Sequence, residues 1–407
     1  MELNILLVIL VILYFVDFKK YFVIYMAFAV WLSCFFSPKA GVFGSLSEVA
    51  VLFYLFKHKQ ICGNEVKVSN YPLLLCSVLL LLSYTCSNFF TGNLHYNAYI
   101  GKLILMLSNV YILWSIFEGN KQKYIRIFIR YSIIFAWIIC IYGVFETITR
   151  TNPLVHLFEA ANLYYEPFYI TEIRFGLKRA QSVFMMHTTL ACTCICIFGM
   201  LYCYYDEFLK KKSYLWLLLL LFFIAFTTGS RSGIIAMVLT LGIYFRSIGK
   251  KQLAGIVVAT FVFVIFQSYF ESILGSIQDT EQVGGSNTDM RTQQFLIAID
   301  LFNNNPWFGN GLGATFSDAF YSKELLGAES LWIPCLIEQG VLGCIATGMF
   351  FIQCFVYCIR MKQKHLCFFV LAMVVMFSMT SVPQVNFTYI FIYLYVMANI
   401  NKLTIKK

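Results

Sequence analysis

The sequence predicts an all-α fold, a polytopic transmembrane bundle of about 12–13 helices with two larger loops on its outer side. Three observations predict it. Of 407 residues, 60% are hydrophobic and 12% charged, against roughly 25% charged in an ordinary soluble domain. The apolar residues fall in blocks of about 15 to 22, the length that crosses a bilayer core of roughly 30 Å as a helix. The charged residues divide unequally between alternate connections, as they do when a membrane separates them.

Spans are predicted at 5–16, 21–37, 42–56, 71–87, 99–117, 131–148, 184–205, 214–228, 232–246, 252–270, 330–357, 366–381 and 385–400. The whole chain, 1–407, reads as a single membrane domain. The opening Met1–Val16 has the apolar run of a signal peptide, but its first residues carry only Glu2 and no small-residue cleavage site precedes Asp17, so it is read as a retained helix.

The net charge of +10 orients the chain. The connections at 17–20, 57–70, 118–130, 206–213, 246–251, 358–365 and 401–407 hold 21 Lys or Arg and 5 acids, and the remainder of the chain holds 9 and 15. The first set is therefore cytoplasmic and the second outer. Because the positive excess is accounted for by orientation, no nucleic-acid partner is expected.

Fourteen cysteines are present, but the two large outer loops contain none, which argues against a disulfide scaffold. Cys192, Cys194 and Cys196 sit mid-helix at a spacing that points them in different directions, as small apolar packing residues do. No metal and no cofactor is expected.

Two connections stand out by length, 149–183 and 271–329, both on the acidic, outer side. Long connections between well-defined helices carry function more often than short ones. In the second, Thr288 or Asp289 caps an amphipathic helix from about Met290 to Asn303, with Phe295, Ile299 and Phe302 at helical spacing beside Leu296 and Ala298; it is too polar to span and suits the outer membrane surface. A stop at Asn303-Asn304-Asn305-Pro306 leads into Trp307-Phe308-Gly309-Asn310-Gly311-Leu312-Gly313. Glycines 309, 311 and 313 allow close backbone approach; their N–H groups either cradle an anion or serve a loop returning to the membrane.

Charges beside apolar spans ask for a reason. Arg231 lies in the polar hairpin Thr227-Thr228-Gly229-Ser230-Arg231-Ser232-Gly233, between two strongly apolar stretches. Hydroxyls such as that of Ser230 and the amides of the next helix flank it, so it either recognises an anion or tethers the hairpin through carbonyls or Glu338. Arg174, Lys178 and Arg179 form a second positive cluster on the side where positive charge is disfavoured. It binds an anionic group together with Arg291, or it pairs with Glu166, Glu172 or lipid headgroups. Tyr164, Tyr165, Phe168, Tyr169 and Phe175 lie alongside, as an interfacial belt or as platforms for sugar rings. Glu329 and Glu338 are offset by about 180° and roughly 13 Å on a helix, so each acts alone. Glu329 is a candidate base or a counter-ion for Arg231 or Arg291. His187 is a packing histidine or a base.

Taken together, these residues resemble the O-antigen polymerase and ligase superfamily. The resemblance rests on Thr228-Gly229-Ser230-Arg231-Ser232-Gly233, Asp289-x-Arg291, Pro306-x-x-Gly309-x-Gly311-x-Gly313 and Glu338-x-Gly340-x-x-Gly343, in order over about 215–355. Arg179 through Ala191 resembles the family's upstream arginine and helix start, and the N-terminal third matches in hydropathy alone. Where the family has His-Asn before the glutamate, this chain has Glu329-Ser330, and the 271–329 loop has no histidine. Ligases of the family keep that histidine, so the resemblance favours a polymerase and makes Glu329 the substitute base.

The resemblance implies a metal-independent glycosyltransferase in a bacterial inner membrane, with its site facing the periplasm. It would join undecaprenyl-pyrophosphate-linked oligosaccharide repeat units into O-antigen polysaccharide. Arg231, Arg291, Arg174 and Arg179 would hold the lipid pyrophosphate and Glu329 would take the acceptor proton. Ser230, His187, Gly309, Gly311, Gly313, Trp307 and Tyr165 would contact substrate, and membrane lipids and a chain-length regulator are the implied partners. The alternatives are a ligase transferring polysaccharide to lipid A core and a flippase of lipid-linked sugars. A transporter, however, is expected to carry charges midway through spans and to show an internal repeat, and neither is seen. A purely structural scaffold leaves Arg231 without a reason.

Overall fold

The computed structural model describes residues 2–32, 42–62, 67–91, 97–154, 173–174, 177–184, 186–205, 212–246, 288–316, 330–380 and 386–403. Within them the chain is an all-α bundle. Its helices are α1 (Glu2–Leu32), α2 (Val42–Cys62), α3 (Leu74–Thr91), α4 (Asn97–Gly119), α5 (Lys121–Thr149) and α6 (His187–Tyr204). There follow α7 (Lys212–Thr227), α8 (Arg231–Thr240), α9 (Thr288–Asn304), α10 (Trp332–Arg360), α11 (Cys367–Ser378) and α12 (Ile390–Asn399). Between α5 and α6 a two-residue ladder joins β1 (Ile173–Arg174) to β2 (Leu177–Lys178). The expected span at 252–270 lies outside the described residues.

Among the described residues, five helices are long and apolar enough to cross a membrane, over Leu74–Thr91, Tyr99–Gly119, Lys121–Thr149, His187–Tyr204 and Trp332–Arg360, and shorter apolar helices accompany them. Large apolar side chains point outward along the bundle, among them Phe15, Phe56, Ile141, Trp216 and Ile352. Water would not tolerate that surface; a bilayer requires it. The chain is a multi-pass membrane protein.

Two helices are enclosed on every face. All ten residues of α12 are buried, as are Thr189–Leu201 of α6, and the two pack together. A helix apolar all round belongs inside. Around this pair, α1 packs on α5, α3 on α10, α7 on α6, and α11 on both α8 and α10.

Three local features bear on the expected spans, the first in agreement with them and the other two departing from them, each for a physical reason. At Asp17 (φ −151, ψ 85) the first helix is interrupted, and the Asp17 carboxylate accepts from the Lys20 N–H at 3.2 Å. One helix is thus two, near the expected 5–16 and 21–37. The expected cytoplasmic connection 118–130 shrinks to Asn120, whose side chain caps α5 by accepting from Lys123 N at 3.1 Å. Lys121, Lys123, Arg126 and Arg130 alternate with buried Tyr124, Ile125, Phe128 and Ile129, so this stretch is amphipathic and stays helical. The third break is inside α10, where Gly340 adopts φ 63, ψ −153.

Within the 271–329 connection, α9 forms over Thr288–Asn304, close to the expected 290–303. It docks on α10 through Ala298, Ile297 and Leu301 against Ile333 and Ile337, while Phe295 and Leu296 stay exposed.

Candidate functional site

The hairpin between α7 and α8 is built by its own short motif. Thr228 Oγ1 donates to the Ala225 carbonyl at 2.7 Å, closing α7. Gly229 turns the chain at φ 61, which a side chain would resist. Ser230 caps α8, its Oγ accepting from Gly233 N at 3.2 Å and sharing a hydrogen bond with Ser232 Oγ at 3.0 Å. A Cβ on Gly233 would stand 2.9 Å from the Ala191 Cβ, so glycine there lets the starts of α6 and α8 approach. Arg231, half-buried, is the first residue of α8.

Arg179 ties the upstream segment to this hairpin. Its Nε donates to the Thr228 carbonyl at 3.0 Å and its Nη2 meets His187 Nε2. Alongside, the Ala180 N–H donates to the Thr227 carbonyl at 3.1 Å. The end of α7, whose last carbonyls lack helical partners, thus receives a cation and an amide, as its dipole favours. A guanidinium only donates, so in this contact the accepting atom is His187 Nε2. Arg179, His187, Ser230 and Arg231 therefore gather where two helices begin side by side. Two amino-terminal dipole ends and two arginines make a positive locus of the kind that binds phosphate.

A second cluster forms around the break in α10. Gly340 interrupts the helix, and the Trp307–Gly313 loop inserts there. Val341 N donates to the Pro306 carbonyl at 2.8 Å, Asn310 N to Ile337 O at 2.8 Å, and Gly311 N to Glu338 O at 3.2 Å. Gly309 N donates to Asn305 O at 2.9 Å. The amides of Gly309 and Gly311 are thus bonded to carbonyls instead of being open to an anion. Gly309, Gly311 and Gly313 all have positive φ, and a Cβ on Gly309 would collide with the backbone of Glu338 and Gln339. The observed part of Gly309 is close packing, and that of Gly311 and Gly313 a positive-φ turn.

Helix α3 completes this cluster: Ser83 Oγ donates to Gln339 Oε1 at 3.0 Å, Ser87 Oγ donates to the Glu338 carbonyl, and Phe90 stacks on Phe308 with centroids 4.3 Å apart. Glu338 is buried and Trp307 is 68% exposed. The two clusters are linked through α11, which packs on α8 and on α10.

The fate of the remaining positive cluster is informative. Lys178 is buried in an ion pair with Glu146, Nζ to Oε1 3.0 Å, while Glu166 and Glu172 lie outside the described residues. Arg174 lies in β1 opposite Leu177 and Arg291 in the first turn of α9; their side chains, together with Glu329 and Tyr165, lie outside the described residues. Among the described residues, no group of three or more His, Cys, Asp or Glu is arranged to hold a metal ion.

Sequence reasoning overlooked Glu146, Asn152, Asn310, Ser83 and Ser87. Glu146 had a visible signal, an acid in an apolar helix. Asn310, whose Nδ2 donates to Leu301 O at 2.8 Å and Ile337 O at 3.2 Å, sits among glycines that drew the attention instead.

Residues 216–348 match the family model described as O-Antigen ligase. That stretch runs from α7 through the hairpin, α9 and the Trp307–Gly313 loop into α10, and so contains Ser230 and Arg231 of the first cluster and the loop and broken helix of the second, while Arg179, His187, Ser83 and Ser87 lie upstream of it. Over these residues the chain is similar to that family. No curated protein matches the chain. Within the matched stretch the hairpin's residues have structural duties of their own: Thr228 and Gly229 end α7, Ser230 caps α8, and Gly233 admits α6.

Proposed function

We propose that this chain is an O-antigen polymerase of the bacterial inner membrane, working on the periplasmic side. It extends polysaccharide by glycosyl transfer between oligosaccharide repeat units carried on undecaprenyl pyrophosphate. The observation that carries this reading is the convergence of Arg179 and Arg231 on the paired starts of α6 and α8. A lipid diphosphate leaving group needs such a locus more than any sugar does.

In the proposed step, the acceptor hydroxyl oxygen bonds to the anomeric carbon of the donor chain as the bond from that carbon to the pyrophosphate oxygen breaks. Lipid pyrophosphate leaves with the electron pair. Arg231 and Arg179, joined by Arg174 and Arg291, balance the growing charge without a metal ion, and Glu329 takes the hydroxyl proton. Ser230 and His187 hold the arginines and the hairpin, while Trp307 and Tyr165 offer aromatic faces to sugar rings. The glycines act by letting the Trp307–Gly313 loop seat in the broken helix. A chain-length regulator and the surrounding lipids are the expected partners.

The absence of a histidine from the 271–329 loop favours polymerase over ligase. Arg231→Ala should abolish chain growth with the protein still present in the membrane; long chains of ordinary length from that variant would refute the reading. Deleting the gene from a strain that makes O-antigen should leave single repeat units on lipid A core, whereas bare core would indicate a ligase or a flippase.

A further inference from the structure

Glu146 lies near the end of α5 and is fully buried, yet the proposed reaction gives it no part. An ionised carboxylate in an apolar bundle persists only where donors surround it. Four do. Its Oε1 accepts from Lys178 Nζ at 3.0 Å and Asn152 Nδ2 at 3.2 Å, and its Oε2 accepts from the N–H groups of Gln181 at 2.9 Å and Ser182 at 2.6 Å.

These donors come from both ends of the 149–183 connection, Asn152 at its start and Lys178 to Ser182 at its close. Further bonds fix the same residues. Asn152 Nδ2 also donates to Ser182 O at 3.1 Å, and Ser182 Oγ donates to Ile139 O at 2.8 Å. Arg179 falls between Lys178 and Gln181, two of the residues that the carboxylate holds. A long arginine side chain reaches a fixed point only if its backbone is fixed.

We propose that Glu146 is a positioning residue, which clamps the two ends of the outer loop and so sets Arg179 against Thr228 and His187. This rests on the reading of Arg179 as a pyrophosphate-binding group. Charge matters as well as shape: a glutamine has one accepting atom and one donating group, so it satisfies either the Lys178 and Asn152 arm or the two amides, never both.

The test uses the full chain in lipid nanodiscs, with undecaprenyl-pyrophosphate-linked repeat units as substrate and chain growth as readout. The variants are Glu146→Gln, Arg179→Ala and the two combined. Glu146→Gln should lower kcat by about 10- to 100-fold, the scale expected for a reacting group displaced by about an ångström, and the combined variant should be no slower than Arg179→Ala alone. A merely structural loss would reduce the number of active molecules and leave the rest dependent on Arg179, so the combined variant would fall further; that result overturns the inference. A Glu146→Gln variant as fast as the parent beside an impaired Arg179→Ala overturns the inference and leaves the reading of Arg179 standing. An Arg179→Ala variant of full activity overturns both. Where Glu146→Gln lowers the amount of folded protein, Glu146→Gln with Lys178→Met removes the stranded ammonium, and the same comparison is read in that background.

Discussion

At the basic end of the bundle, Lys121 pairs with Glu118 at 2.9 Å with side chains 31% and 30% exposed. At the acidic end, Lys178 pairs with Glu146 at 3.0 Å with side chains 6% and 0% exposed. The same chemistry is put to different uses. Near Glu118 the charges are numerous, solvated and close together in sequence, and they set which way the chain crosses the membrane. Near Glu146 they are few, enclosed and distant in sequence, and each meets a named partner. Orientation needs only net charge on one side, so individual residues there are replaceable. A site needs particular atoms in particular places, so the acidic end carries the buried groups Arg179, Glu338 and Glu146.

Removing one member of the buried pair should have the largest effect. Lys178→Met strands the Glu146 charge, and breaking a buried pair costs about 3–5 kcal/mol; the bonds from Asn152, Gln181 and Ser182 place the expectation at the lower end of that range. Thermal unfolding of the detergent-solubilised protein measures it. A loss below about 1 kcal/mol would show that the two ends do not differ as argued.

Gly340→Ala should follow. Its φ of 63 and ψ of −153 lie where almost only glycine goes, at a cost of about 1–3 kcal/mol for another residue. A new Cβ would also stand 2.5 Å from the Pro306 carbonyl oxygen, so the loop must leave its seat in α10. Both unfolding temperature and chain growth should fall, and protease cleavage near Pro306 should speed up. Unchanged cleavage would mean that the loop is held by something other than the broken helix.

Legibility in the sequence followed how local the physics is. Within the described residues the span positions came through because hydropathy acts over one helix length, and the Thr228–Gly233 hairpin because its turn and cap involve neighbours in sequence. The start of α5 was misread as a loop because Lys121, Lys123, Arg126 and Arg130 resemble a polar connection until their alternation with buried Tyr124, Ile125, Phe128 and Ile129 is seen. The break at Gly340 gave no sign of its own, since its partners Pro306 and Trp307 lie far back along the chain. Glu146 was counted only as an outer acid; its donors Lys178 and Ser182 are 32 and 36 residues away, a separation that no pattern of spacing reveals.

Smaller effects sharpen the contrast. Ser83→Ala removes the buried hydrogen bond to Gln339 Oε1 at 3.0 Å. A loss of about 1 kcal/mol is expected, within the usual range for a neutral buried hydrogen bond, together with a modest fall in chain growth because α3 braces the break at Gly340. Glu118→Gln should do least. Its pair with Lys121 is one turn apart on a half-solvated surface, where such contacts contribute about 0.2–0.5 kcal/mol. Glu118 also accepts from Tyr395 Oη at 2.6 Å, but a glutamine oxygen accepts there too, so the tie to the central helix α12 survives. Stability should change by no more than that small amount and the change should vanish in high salt, while chain growth stays at the parent rate. If Glu118→Gln slowed chain growth as much as Ser83→Ala, the basic end would have to share in the chemistry, and the division of labour between the two ends would fail.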